Sequence, residues 1–159
     1  MLKLVKSTIF PAAMSLFLAG AAAPLFGQNV ELSLSRSSLS FAAADPDTTP
    51  LVPANDTLTV RIKVTGGGQP QPWQLTLRAN GDLYSLLSLA MIDISNITWT
   101  ASPAPPFQNG TLAANVDQVA ASGSRNVNET GVMNFVFQNN WAYWAGSYTQ
   151  SVTFTLSYR

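Results

Sequence analysis

The chain has 159 residues, of which 47% are hydrophobic and 10% charged, and its formal net charge is zero. It contains neither cysteine nor histidine, which excludes disulfide bonds, thiol nucleophiles, histidine general bases and the usual zinc ligands. No basic run is present, which argues against nucleic acid or an anionic membrane as a partner. The composition therefore favours a non-catalytic protein with no metal and no cofactor.

The first 27 residues are predicted to be a cleaved signal peptide. Two lysines precede an apolar run, Ile9–Ala23, that ends in small residues. A transmembrane anchor is the alternative, but the run is shorter than the roughly 20 apolar residues that cross a bilayer, and Pro11 interrupts it. Cleavage between residues 23 and 27 leaves one domain, residues 28–159. We expect this domain to be exported, with no membrane insertion after cleavage.

The mature chain reads as short strands separated by turns. Val30, Leu32 and Leu34 alternate with polar residues, and the apolar phase then shifts, which indicates a turn or bulge around Arg36–Ser38. Further strands with one apolar face are predicted at 58–64, 73–79 and 95–101. Loops are predicted from their composition at 45–50, 66–72 and 102–110.

The second half of the chain contains less regular patterns. Residues 83–92 fit one helical face and a strand-and-loop arrangement equally well, and residues 111–122 form a weakly patterned strand or pair of strands. Residues 131–140 include a stretch that is apolar on both faces, which is typical of a central strand. Seven to nine short strands with almost no helix predict an all-β, immunoglobulin-like antiparallel β-sandwich.

Carboxylates are the remaining catalytic candidates. Asp82 and Asp93 flank the ambiguous segment, and Asp45 and Asp47 lie two residues apart in a loop. A catalytic pair needs carboxylates placed across a cleft, and the sequence gives no sign of one. We therefore interpret these four residues as solvated loop acids and turn formers. Asn-x-Thr sequons are interpreted as chance matches, because the leader and the lack of disulfides are typical of a bacterial protein; they begin at Asn55, Asn96, Asn109 and Asn128.

The chain ends on its most regular predicted strand, in which even-numbered positions are mostly apolar or aromatic and odd-numbered positions are all Thr or Ser. An aromatic cluster leads into it. These rings either stack on a sugar or cap the end of the sandwich, as a tyrosine corner does. The cluster comprises Trp141, Tyr143, Trp144 and Tyr148.

The closing stretch resembles subunits of bacterial chaperone–usher pili, including the archaic kind related to spore coat protein U. The matching residues are Ala145, Gly146, Tyr148, Val152, Phe154, Leu156 and Tyr158. The resemblance implies a fold that lacks its final strand, so that a donor segment of the next subunit adds to an exposed edge. It implies an acceptor edge of Tyr148, Val152, Phe154, Leu156 and Tyr158, and a donor segment within residues 28–36 that contributes Val30, Leu32 and Leu34.

Two functions follow from these observations. The first is a structural subunit of a surface fibre, pilus or coat, which polymerises with copies of itself or related subunits. A periplasmic chaperone and an usher are its expected export partners. We expect the subunit to pass through the periplasm and then to reside at the cell surface or in the extracellular space. The second is a secreted carbohydrate- or surface-binding module. It would use Trp141, Tyr143 and Trp144, or the proline-rich loop 102–110, as its ligand platform.

Overall fold

The computed structural model describes residues 2–9, for the backbone alone, and residues 29–66, 72–124 and 126–158. Most of the predicted leader and most of the loop predicted at 66–72 lie outside the described residues. The described chain forms 13 strands, and eight of them have six residues or more. The strands are β1 (Leu2–Ile9), β2 (Asn29–Leu34), β3 (Ser38–Leu39), β4 (Leu51–Pro53), β5 (Leu58–Thr65), β6 (Trp73–Ala79), β7 (Leu83–Tyr84), β8 (Met91–Ile92), β9 (Ile97–Ser102), β10 (Gly110–Thr111), β11 (Gln118–Gly123), β12 (Val127–Gln138) and β13 (Gln150–Tyr158).

The longer strands form two sheets that face each other. The first sheet has the order β11-β6-β13-β1-β3, and the second has the order β10-β9-β12-β5-β2, with β4 also paired to β12. All strand pairs are antiparallel except β1–β13. The predicted all-β antiparallel sandwich is confirmed.

One hydrophobic core fills the space between the sheets, and the period-2 alternation of the sequence determines which side chains enter it. In β5 and β6 every second residue is buried, from Leu58 to Val64 and from Trp73 to Ala79. Strand β12 pairs with β5 and β9 on its two sides, which confirms the prediction of a central strand there. Its inward residues Met133 and Phe135 are fully buried.

Two tryptophans of the core lie directly over glycines of the neighbouring strand. Trp99 in β9 is the cross-strand partner of Gly110, and Trp73 in β6 is the partner of Gly123. A Cβ atom at either glycine would lie within 3.0 Å of the indole ring. The absence of a side chain at these positions therefore makes room for the two largest rings of the core.

Residues 83–92 form a β-hairpin, so of the two alternatives left open by the sequence the strand-and-loop arrangement is correct. Leu83 and Tyr84 pair with Ile92 and Met91. A single 3-10 turn, Ile94–Asn96, then leads into β9. None of the helical structure in the described part of the chain has the length and apolar character that a membrane crossing requires.

Strand β1 lies in the segment that the sequence analysis assigns to the leader and places outside the fold. In the full chain its backbone is part of the first sheet, where it runs parallel to β13 from Leu2 opposite Gln150 to Ile9 opposite Ser157. Cleavage at residues 23–27 would therefore remove a strand from the middle of this sheet.

Candidate functional site

The candidate site is the strand position between β13 and β3, which we call the acceptor position. On one side, β13 is paired with β6 over seven residues, from Val152 to Tyr158. On the other side its neighbour is β1, which in turn reaches β3 only through Leu2 and Lys3. Neighbouring strands lie about 4.8 Å apart, so β13 and β3 are separated by about 9.6 Å once the strand between them is removed.

The predicted acceptor residues of β13 face the core. Val152, Phe154 and Leu156 are fully buried, while the Thr and Ser residues between them are partly exposed. Tyr158 is partly buried against the same core. The side chains of β13 are therefore fixed by the opposite sheet, so what a partner could gain at the acceptor position, once β1 is removed, is hydrogen bonding to the backbone N–H and C=O groups of this strand.

An open groove of about 530 Å³ lies at the start of the acceptor position. It is lined by both strands that border this position, through Ser37 and Ser38 on one side and Gln150 and Ser151 on the other. Gln150 is held in place because its Nε2 atom donates to the carbonyl oxygen of Asp82 at 2.6 Å. The groove is accessible from solvent, and Tyr84 and Leu86 also line it, so it exposes more apolar than polar surface.

The predicted donor segment is paired within its own molecule. Residues Asn29–Leu34 form β2, an edge strand that pairs antiparallel with β5. Leu32 is buried, and Val30 and Leu34 are partly buried against the core. A donor role for these residues therefore requires β2 to leave β5, and that role and the acceptor role of β13 stay predictions.

The aromatic cluster divides into two pairs. Tyr143 and Tyr148 pack against the core. The Tyr143 ring packs in a tilted arrangement on Phe137 at a centroid distance of 5.9 Å, and the Tyr148 hydroxyl donates to the carbonyl oxygen of Trp144 at 2.8 Å. Burial, with a smaller contribution from the charge of Asp93, raises the pKa of Tyr143. Trp141 and Trp144 are instead 67% and 75% exposed. The two tyrosines thus cap the sandwich, and the two tryptophans form the exposed part of the cluster.

The four carboxylates considered as catalytic candidates each accept a hydrogen bond from elsewhere in the chain. Asp82 accepts from the Ile94 N–H at 3.1 Å and Asp93 from the Ser95 N–H at 2.8 Å. Hydrogen bonding to Ser95, first to its side chain and then to its backbone N–H, lowers the pKa of Asp93. Asp45 accepts from the backbone N–H of Asp47, whose own carboxylate accepts from the Trp141 indole. Within the described residues no group of three or more acidic side chains is placed to hold a metal ion.

The sequon asparagines also have structural roles within the chain. Asn55 accepts from the Ser40 N–H, Asn109 from the Ala101 N–H, and Asn128 from Arg61, while the Asn96 side-chain amide donates to the Asp93 carbonyl oxygen.

The chain matches no known protein family, and comparisons with characterised proteins and with solved structures also found no match. The resemblance to chaperone–usher pilus subunits therefore stays a prediction.

Sequence reasoning missed the strand that fills the acceptor position. The first nine residues contain leucine and valine at positions 2, 4 and 5, but the two lysines of this segment favour its interpretation as a signal-peptide n-region. Its short alternation of apolar and polar residues, Leu2-Lys3-Leu4, was the only available sign of a strand.

Proposed function

We propose that this protein is an exported, non-catalytic structural subunit of a bacterial surface fibre, pilus or coat, and that it assembles by β-strand exchange. The observation that supports this most is the occupant of the acceptor position. In the full chain it is β1, which belongs to the segment predicted to be cleaved. Cleavage leaves one side of β13 without a partner, and an unpaired strand of this length favours the addition of another strand.

The spacing of the donor segment fits this position. A donor residue opposite Val152, Phe154 or Leu156 shares their face of the sheet, so apolar residues are needed at all three places. Strand β1 sets Leu4, Lys6 and Thr8 opposite them. The segment containing Val30, Leu32 and Leu34 has apolar residues at every second position, and in either strand direction it can set all three opposite the β13 residues.

Exchange costs the pairing that β2 makes in its own molecule. That pairing extends over six residues and includes the buried Leu32. Burial of a leucine contributes roughly 1.5–3 kcal/mol, and this contribution is lost when β2 leaves β5 and regained in the partner. The net free-energy gain of assembly then comes from hydrogen bonding of the β13 backbone. Because β2 must first leave β5, we expect exchange to be slow, and a periplasmic chaperone and an usher would accelerate it.

The absence of cysteine allows a direct test of this mechanism. Glu31 and Lys63 are cross-strand partners in β2 and β5, so the E31C/K63C variant can lock β2 into its own sheet with the only disulfide in the chain. The mature protein, residues 28–159, is compared before and after reduction by size-exclusion chromatography with light scattering. We expect polymers from the unmodified protein and from the reduced variant, and monomers from the oxidised variant. Polymers from the oxidised variant would overturn the donor assignment.

A labelled peptide tests the acceptor position separately. The peptide NVELSLS, residues 29–35, is expected to bind the oxidised monomer, and the control peptide with the Leu32→Asp substitution is expected not to bind. Equal binding of both peptides, or of neither, contradicts the acceptor assignment. A mature protein that stays monomeric in every form, with native circular dichroism, contradicts the proposed function as a whole.

A second candidate function, carbohydrate binding, is supported by the geometry of Trp141. Its indole N–H donates to Asp47 at 2.9 Å, which fixes an exposed ring next to a carboxylate. Fixed rings of this kind stack on sugars, and the carboxylate can accept hydrogen bonds from hydroxyl groups. Retention on insoluble polysaccharides that is lost in the Trp141→Ala variant but kept in Trp144→Ala would favour this function.

A further inference from the structure

The β7–β8 hairpin presents an exposed apolar tip. Neither the backbone conformation of the hairpin nor packing against the core accounts for its apolar side chains. Six of the nine large apolar side chains exposed in the described residues lie in this hairpin and in the neighbouring loop between β12 and β13. Four of them belong to the hairpin and are 63–91% exposed. These four residues, which we call the hairpin tip, are Leu86, Leu87, Leu89 and Met91.

The backbone of the hairpin tip is well supported. The Ser85 N–H donates to the carbonyl oxygen of Ala90 at 3.0 Å, and the buried Ser85 hydroxyl accepts from the Ser88 N–H at 3.4 Å. At its base, Tyr84 and Thr149 exchange two backbone hydrogen bonds, of 3.1 and 3.0 Å, which join the hairpin to the start of β13. The leucines are therefore held outward by a fixed turn.

Leu89 is the least expected residue of the tip. Its φ angle is 55°, in the left-handed region where glycine and asparagine are favoured and leucine is unfavourable. Its side chain is also exposed, so the core does not stabilise it. A leucine that is disfavoured by the backbone and gains nothing from packing points to an apolar surface outside the molecule.

The charge distribution around the tip indicates the kind of surface. No residue from Leu83 to Ile92 is charged. The two acids that flank this stretch, Asp82 and Asp93, accept hydrogen bonds from backbone N–H groups at the base of the hairpin. The amphipathic rings of Tyr84 and Trp144 lie in the strand and loop next to the base, the arrangement typical of contacts at a membrane–water interface.

A second copy of the chain is a poorer fit to the tip. A protein partner would need an apolar surface shaped to receive the four exposed side chains of the tip. The groove next to Leu86 is lined in part by Tyr84 and Leu86, so its apolar surface belongs in part to the hairpin itself and is not a separate receptor for the tip of a second copy. A bilayer has no such requirement, because lipids rearrange around inserted side chains.

We propose that the hairpin tip inserts its leucines into the surface of a zwitterionic phospholipid bilayer and so places the domain against a membrane. The lack of a basic run argues against an anionic membrane, but an uncharged tip requires no basic charge to contact a zwitterionic one. The contact is shallow and does not span the bilayer. It is independent of strand exchange.

The test is flotation of the purified protein with phosphatidylcholine vesicles. We expect the unmodified protein to float with the vesicles, and the L86S/L87S variant to bind at least about tenfold more weakly, since it loses two of the four apolar side chains of the tip. The matched control is Leu51→Ser, because Leu51 is an exposed leucine on β4, outside the hairpin. It should bind as the unmodified protein does. Circular dichroism confirms that each variant is folded.

Tryptophan fluorescence adds a positional readout. Trp73 and Trp99 are buried, so Trp141→Phe leaves Trp144 as the exposed indole next to the hairpin, and Trp144→Phe leaves Trp141. Brominated lipids should quench the Trp141→Phe variant more strongly. Failure of the unmodified protein to bind vesicles overturns the proposal, as does equal vesicle binding by L86S/L87S. Loss of self-association in L86S/L87S without any vesicle binding would assign the tip to a second copy instead.

Discussion

Replacing Gly110 by alanine should destabilise the fold substantially, although the substitution adds one methyl group to a two-residue edge strand. A Cβ atom at position 110 would lie 2.3 Å from Cζ2 and 2.4 Å from Cη2 of Trp99. The indole cannot move away easily. It is buried at 2% exposure, it donates to the carbonyl oxygen of Gln108 at 2.8 Å, and it packs on Phe135 at a centroid distance of 6.3 Å.

The expected magnitude comes from two effects. Overpacking of a well-filled core costs about 1–3 kcal/mol, and loss of the hydrogen bond from the buried indole costs about 0.5–1.5 kcal/mol. Together these lower the free energy of unfolding by about 1.5–4.5 kcal/mol. For a domain of this size, that corresponds to a fall in Tm of about 10 °C.

Urea unfolding followed by circular dichroism measures this change. The control is Gly146→Ala, because the nearest atom to a Cβ there is the Ser85 hydroxyl oxygen at 3.5 Å, an ordinary contact. We expect the control to lie within about 0.5 kcal/mol of the unmodified protein. In a double-mutant cycle, Trp99→Leu should remove most of the effect of Gly110→Ala. A Gly110→Ala variant as stable as the control would refute the proposed role of the ring.

Two further predictions concern charged groups. Arg36 forms an ion pair with Asp56, and both side chains are more than a third exposed. Arg36→Gln should therefore lower the free energy of unfolding by less than about 1 kcal/mol in urea unfolding, and this loss should be smaller at high salt. Asp93, the N-cap of the 3-10 turn, has a pKa below its usual value of 3.8, so its contribution is complete at neutral pH and is lost as the pH falls below about 4. Because this carboxylate is exposed, the contribution is at most about 0.5 kcal/mol. Asp93→Asn keeps the cap and cannot titrate, so its unfolding free energy should fall less between pH 5 and 3, and an equal fall would contradict this role.

The sandwich could be predicted from the sequence because strand alternation is a local property. In β5, β6 and β13 every second residue is apolar, and the same residues enter the core. Residues 83–92 could not be assigned, since four exposed apolar side chains obscure the alternation of two-residue strands. The hairpin depends on the Tyr84–Thr149 pairing, a contact distant in sequence.

The candidate site was predictable in part. The regular pattern of β13 identified the strand, but its neighbours depend on tertiary structure. The aromatic cluster shows the same limit. Tyr143 and Trp144 are adjacent and equally suited to burial by residue type, yet the first packs against the core and the second is exposed. Only the path of the chain between β12 and β13 decides which ring enters.

The proposal of strand exchange depends on whether β3 could close the sheet once β1 is removed. Such closure would require residues 38–41 to move by about one strand spacing toward β13, roughly 4.8 Å. Several contacts oppose it. Leu39 is fully buried, Ser40 and Asn55 are joined by two hydrogen bonds of 2.8 and 2.9 Å, and Phe41 forms a bridge with Ala54. Because these contacts hold β3 in place, we expect a strand lost by cleavage to be replaced more readily by another chain than by rearrangement of this one.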